Sequence, residues 1–137
     1  MNNHHFVGTI PELLQNKGRK RCTVGGKDIF VVLNNGQPYA FDSFCYHAGG
    51  PLYQGDIEDV SGKWCIVCPW HKYKIHIDSG EGLYHSVDPH DLKKPPKLCS
   101  KGRKQRTHSV IVKGEQLFVV LSDPQNPAES DQYNKQV

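Results

Sequence analysis

No apolar run in this chain approaches the length of a membrane span. No apolar signal region and no Arg-rich amphipathic stretch opens it; the first residues are Met1-Asn2-Asn3-His4-His5-Phe6. The expectation is a cytoplasmic protein with no membrane contact. Cysteine is not scarce, but its number is odd: five, at positions 22, 45, 65, 68 and 99. An odd set without a secretion signal argues against a disulfide scaffold and for metal binding or free thiols. Long helical repeats of apolar residues are missing, and so are internal repeats of domain-building length. The formal net charge of +3 is too small to imply nucleic acid. The 137 residues suffice for one domain with a true core.

The local signals that are present read as β. Phe6 to Ile10 is a short first strand, followed by one helical turn at Pro11-Glu12-Leu13-Leu14. Arg21 to Val24 and Asp28 to Leu33 flank Gly25-Gly26, a hairpin signal. Asn34-Asn35-Gly36 is a second turn, since Asn and Gly tolerate positive φ. Tyr39 to Phe41, Lys63 to Val67 and Tyr73 to Ile77 are further strands. A last hairpin, Thr107 to Lys113 and Gln116 to Leu121, turns at Lys113-Gly114-Glu115. Many short strands with regular turns predict an all-β sandwich or partial barrel. Ser86 to Arg106, with Pro95-Pro96 inside it, reads as a long loop. From Lys93 to Arg106 it carries seven basic side chains and no acidic one. That charge reads as a solvated face or as a steering patch for an acidic partner. It has no interleaved aromatics, which speaks against nucleic acid. The segment from Asp123 is polar, holds two prolines and reads as disordered or loosely docked.

Two strings carry the chemistry. Cys45-Tyr46-His47 and Cys68-Pro69-Trp70-His71 each supply one thiol and one imidazole from a loop that follows a strand. Two thiolates and two imidazoles are the ligand set of a Rieske [2Fe–2S] cluster. Two ferric ions, two sulfides and two thiolates carry no net charge, whereas four thiolates leave the cluster negative. The neutral form accepts an electron more readily, and the imidazoles add groups that can titrate. Gly49-Gly50 allows close backbone approach, and Pro69 stiffens the second loop.

Other readings compete for the same residues. Cys65-Ile66-Val67-Cys68 is a Cys-x-x-Cys pair, and Cys45, His47 and His71 could complete a tetrahedral zinc site. Against it, Cys65 falls within a strand and points to the core. His76, His85, Asp88 and His90 have the residue types of a mononuclear iron site but no room for its supporting shell. Cys22 and Cys65 read as small buried apolar residues, and Cys99 as a free thiol in a basic setting.

At this point the chain resembles a known family. Cys45-Tyr46-His47-Ala48-Gly49-Gly50-Pro51-Leu52 and Cys68-Pro69-Trp70-His71-Lys72-Tyr73 look like the two cluster loops of soluble Rieske-type ferredoxins. Gly55-Asp56-Ile57-Glu58, His71-Lys72-Tyr73-Lys74-Ile75 and the Lys-Pro-rich loop before Cys99 look closest to the animal Rieske iron–sulfur domain-containing proteins. The resemblance implies an all-β fold of three antiparallel sheets, with a small cluster-binding subdomain inserted in a base domain. The domain would span residues 5–122, the subdomain roughly 44–86, and a flexible tail 123–137. One [2Fe–2S] cluster would be ligated by Cys45, His47, Cys68 and His71.

Three departures refine this expectation. High-potential relatives carry an extra Cys in each loop, where this chain has Gly50 and Trp70. They also place a hydrogen-bonding Ser and Tyr where Tyr73 and Ile75 stand here. Fewer donors to the sulfurs imply a potential near the low end of the Rieske range, roughly −150 mV. Lys72 replaces the Gly of most such ferredoxins.

The resemblance implies a one-electron carrier between a flavin-dependent reductase and an acceptor such as an oxygenase. It would be a monomer and not an enzyme. Docking would use the His47/His71 tip with Lys72, or the Lys93–Arg106 loop. The alternatives are a redox-sensing module and, further off, a zinc-binding structural module.

Overall fold

The computed structural model describes residues 3–135. Eleven strands follow in chain order: β1 (His5–Thr9), β2 (Arg19–Val24), β3 (Lys27–Asn34), β4 (Gln37–Asp42), β5 (Asp56–Val60), β6 (Lys63–Val67), β7 (Lys74–His76), β8 (Glu81–Ser86), β9 (Lys97–Arg103), β10 (Thr107–Lys113) and β11 (Gln116–Val120). The one α-helix among the described residues, α1 (Ile10–Gln15), starts on a capping box in which Thr9 and Glu12 exchange side-chain-to-backbone hydrogen bonds. All pairings are antiparallel.

The base is a six-stranded sheet in the order β1-β11-β10-β4-β3-β2. The expected first and second sheets are present, and they share β10, which pairs with β11 on one side and β4 on the other. The third is a five-stranded meander, β5-β6-β7-β8-β9. The tight turns sit where the sequence placed them. Gly25 and Gly26 take φ of +56° and +80°, and Asn35 and Gly36 take +52° and +78°, as hairpin turns that follow the strand twist require.

Strand β3 explains how two lobes share one frame. Successive side chains on a strand point to opposite faces. Ile29 and Val31 fill the base core with Val7, Leu13, Ala40, Leu117 and Val119. Phe30 and Val32 fill the other core with Phe41, Leu52, Ile66, Ile75 and Ile77, and that core includes Cys45 and Cys68. Phe30 and Phe41 stack at 5.3 Å within it. Each such side chain contributes about 1.5–3 kcal/mol by leaving water, so the loops that carry Cys45 and Cys68 rest on a buried apolar core.

One expectation requires correction and another is narrowed. The basic stretch is not one long loop: Lys97–Arg103 is β9, paired with β8 from Glu81↔Arg103 to Ser86↔Lys97. The second lobe therefore continues to Arg103 rather than ending at residue 86. β9 lies at the sheet edge, where lysines keep an open strand from pairing with other chains. That use of lysine hid the strand from a reading based on apolar alternation. Of the two readings of the segment after Asp123, disordered or loosely docked, the described residues to 135 take the docked one. A 3₁₀ turn at Glu129–Tyr133 packs on the body, with Ser130 fully buried. Arg106 forms a two-pronged ion pair with Asp131 at 2.7 and 2.9 Å. Polar contacts hold this segment, so an apolar pattern gave no sign of it.

Candidate metal centre

The first loop leaves β4 and is closed by its own backbone. Cys45 N–H donates to the Gly50 carbonyl and Gly49 N–H to the Cys45 carbonyl, both at 2.8 Å, and Phe44 bridges to Pro51. Side chains from far along the chain hold it as well. Gln105, fully buried, accepts from Tyr46 N–H at 3.0 Å. Its amide group donates to the carbonyls of Asp42 and Phe44 at 3.1 and 3.0 Å. The second loop is the tip of the β6–β7 hairpin. Cys68 N–H donates to the Tyr73 carbonyl at 2.9 Å, continuing the ladder past Val67↔Lys74. The chain reverses through His71 and Lys72, both left-handed at φ of +62° and +59°.

These loops bring the sequence-predicted ligands together. Ligand atoms of Cys45, His47 and Cys68 lie within 4.8 Å of one another. His71 reaches in from the second loop, its Nδ1 3.1 Å from His47 Nε2. His47 Nδ1 in turn lies 3.1 Å from Cys45 Sγ. The thiols are buried, while the imidazoles lie at the outer edge, His47 half-buried and His71 exposed. Two soft thiolates inside and two imidazoles outside match an iron–sulfur core that faces solvent through its histidines.

Two further observations fit such a group. A Cβ at Gly50 would fall 2.9 Å from Cys68 Sγ and from Trp70 Cγ, so only glycine lets this backbone lie so close to the sulfur. Burial pushes the Cys45 thiol well above its ordinary pKa, and the adjoining Cys68 adds to the effect. A buried pair of thiolates therefore needs a cationic partner, which a metal core supplies. Gly50 and Trp70, the positions where high-potential relatives place a disulfide, face each other here without one. All five cysteines are free thiols.

The site also includes contacts that sequence reasoning did not foresee. Tyr73 stacks on His47, with ring centroids 3.8 Å apart and planes 10° apart. Lys101 from β9 sets its ammonium 4.6 Å from the Tyr73 ring centroid. Burial first, then the positive charges of His71 and Lys101, hold His47 below the ordinary imidazole pKa. Only the pairing of β8 with β9 brings Lys101 here, a relation too distant in sequence to be read from local pattern.

The competing sites do not assemble. Cys65 belongs to a separate apolar cluster with Val60 and Leu83, on the face of β6 opposite Cys68. Burial raises its thiol to about 11, the behaviour of an inert core cysteine. His76 bonds Ser79 and His85 bonds Ser61, so the mononuclear iron set is dispersed. Among the described residues, no other group of three or more His, Cys, Asp or Glu side chains could hold a metal.

Known proteins place the chain in a family. The family model of soluble Rieske-type ferredoxins matches residues 6–124. A human Rieske domain-containing protein is 48% identical over 115 residues, covering 84% of this chain and 73% of the human one. The oxygenase component of 3-ketosteroid-9-alpha-monooxygenase from Rhodococcus rhodochrous is 27% identical over 128 residues, 93% of this chain. Those residues make up 29% of the oxygenase component, so this chain spans less than a third of it. Among solved structures, the ferredoxin of carbazole 1,9a-dioxygenase from Nocardioides aromaticivorans IC177 superposes with a TM-score of 0.64 at 21% identity. That match covers 88% of this chain and all of the ferredoxin. The all-β Rieske architecture is thus shared where the sequences have diverged, and the chain belongs to the soluble Rieske-type ferredoxins, electron carriers with a [2Fe–2S] cluster.

Proposed function

We propose that Cys45, His47, Cys68 and His71 hold the cluster, and that the chain carries one electron at a time from a flavin-dependent reductase to an acceptor such as an oxygenase. The observation that carries this reading is the convergence of two buried thiols and two outward imidazoles at one tip of the molecule. The cluster supplies a reversible one-electron couple. The protein supplies the rest. Leu52, Ile66 and Ile75 keep water from the sulfur side. His47 and His71 form the short path to the surface.

The tip also carries the means of docking. Trp70 is 48% exposed beside it, and Lys72, Lys74 and Lys101 line the adjoining hollow with His71 and Tyr73. A cationic hollow and an exposed aromatic side chain on one tip suit an acidic partner surface and a fast, salt-sensitive encounter. Of the basic stretch Lys93–Arg106, Lys101 is the member at this hollow, so the two expected docking regions meet there. The ferredoxin likeness supports an oxygenase-type acceptor, because that solved relative belongs to a dioxygenase. Five cysteines with no disulfide among them fit a reducing, cytoplasmic setting.

The test is anaerobic stopped-flow mixing with a flavin reductase and then with an oxygenase component. Cluster bleaching followed by reoxidation, each faster than by mediator alone, supports the carrier role. No exchange with any candidate pair, together with partner affinity that changes with redox state, contradicts it in favour of a regulatory module.

A further inference from the structure

The segment from Ser122 to Asn134 reaches back to the first metal-binding loop, and most of it lies beyond the residues that the family model matches. Its anchor is Arg106, only 2% exposed. Every N–H of this guanidinium is used. Nε and Nη2 donate to the two Asp131 oxygens, Nη1 to Ser122 Oγ and the Asp123 carbonyl, and Nη2 also to the Asn126 carbonyl. All five distances lie between 2.7 and 2.9 Å. The planar fork of arginine can fix three backbone turns at once in this way, which lysine cannot. Arg106 N–H also donates to Ser130 Oγ at 2.8 Å, and Ser130 N–H to the Lys104 carbonyl at 3.0 Å.

Held there, the end of the segment meets the loop. Asn134 Oδ1 accepts from Phe44 N–H at 2.9 Å, and its Nδ2 donates to the Phe44 carbonyl at 2.8 Å. One amide side chain thus pairs both backbone groups of the residue before Cys45, as a neighbouring strand would. The same Nδ2 donates to the Ser130 carbonyl at 2.7 Å, which fixes the amide in place. Tyr133 lies over Gly49: a Cβ there would come within 2.9 Å of the Tyr133 ring. Its hydroxyl points to the His47 carbonyl at 3.5 Å. These contacts fall on Phe44, His47 and Gly49, around two of the proposed ligands.

We propose that Glu129–Asn134 is the outer clamp of the cluster site, with Asn134 and Tyr133 as positioning residues for the loop that carries Cys45 and His47. The clamp rests on the ligand assignment made above. It acts on one loop only, so its loss loosens Cys45 and His47 while Cys68 and His71 stay on their hairpin. Its consequence is cluster lifetime, since a ligand loop that opens more often exposes the iron to chelators and oxygen.

The experiment uses the full chain with its cluster. Asn134→Ala, Tyr133→Ala and Tyr133→Phe are compared with the parent for bleaching under an iron chelator, for midpoint potential and for amide exchange by residue. Asn134→Ala is expected to lose the cluster ~10-fold faster, given what its hydrogen bonds contribute, with a shifted potential. Phe44 exchange rises with it, while the Cys68 amide keeps its protection. Tyr133→Ala behaves alike, and Tyr133→Phe matches the parent because the ring is what covers Gly49. Parent-like lifetime and Phe44 protection in Asn134→Ala would overturn the clamp, as would equal loss of protection at Phe44 and Cys68, the mark of general destabilisation. A parent that binds no iron would instead refute the ligand assignment, and Phe44 exchange in the variants still decides the clamp.

Discussion

The two loops that carry the proposed cluster ligands solve one problem in opposite ways. The second, Cys68 to Tyr73, is a hairpin tip whose shape follows from the strands on either side of it. The first, Phe44 to Pro51, joins β4 to a 3₁₀ turn at Leu52–Gln54 and, beyond its own backbone bonds, relies on side chains 59 to 90 residues away, Gln105 and Asn134. A hairpin tip is rigid because its ladder is rigid. A connecting loop has no ladder, so each of its backbone polar groups needs a separate partner. The sequence cost differs accordingly. The second loop spends its constraint locally, on Pro69 and two left-handed residues, and the first spends it on residues that look unremarkable where they stand.

The largest expected effect treats both loops alike. Cys45→Ala and Cys68→Ala should each abolish the cluster, read as loss of visible absorbance and iron. Retention of a full cluster in either variant would remove that thiol from the ligand set. The next effect separates the loops. Gln105→Ala strands the Tyr46 amide, takes the Gln105 donor from the Asp42 and Phe44 carbonyls, and should cost about 2–3 kcal/mol. Denaturant titration measures the loss, and amide exchange should rise over residues 44–50 but not 68–73. Equal exchange in both loops would dissolve the distinction.

A smaller effect runs the other way. Lys72 holds a left-handed φ of +59° that costs a side-chain-bearing residue about 1 kcal/mol and glycine almost nothing. Lys72→Gly should therefore raise stability by about 1 kcal/mol. The same change removes a rim cation, so electron transfer to an acidic acceptor should slow and lose part of its salt dependence. On the proposed docking, the strain keeps a charge at the tip. Unchanged transfer kinetics would leave it without a function.

The smallest effect is one of pH. The Arg106 guanidinium holds the Asp131 carboxyl down at about 2. A carboxyl lowered in the folded state adds stability above its unfolded pKa of about 3.9, and that stability is lost as pH falls toward the folded value. The gap in stability between the parent and Asp131→Asn should be constant near neutrality and shrink between about pH 4 and about pH 2. A gap that grows on acidification would reverse the sign of this linkage.

What could be read in advance follows the same division. The ligand strings, the Gly25-Gly26 and Asn35-Gly36 turns and the β6–β7 hairpin are local, and each is legible because its cause lies within a few residues. β9 was not, because an edge strand of lysines lacks the apolar alternation that marks a strand. Gln105, Arg106 and Asn134 were not, because polar residues that satisfy distant backbone look the same in sequence as residues facing water. The docked segment from Ser122 to Asn134 was hidden for that reason too: it is held by a guanidinium fork and an amide rather than by an apolar stripe.

The central claim is that two thiolates and two imidazoles share one [2Fe–2S] cluster at the tip. Its most direct test is pulsed EPR of the reduced protein, with iron and sulfide assayed on the same sample. Two irons, two sulfides and two strongly coupled nitrogens, one of them lost in His47→Cys and one in His71→Cys, are the predicted result. A colourless protein with one zinc, or a reducible cluster without nitrogen coupling, would contradict it.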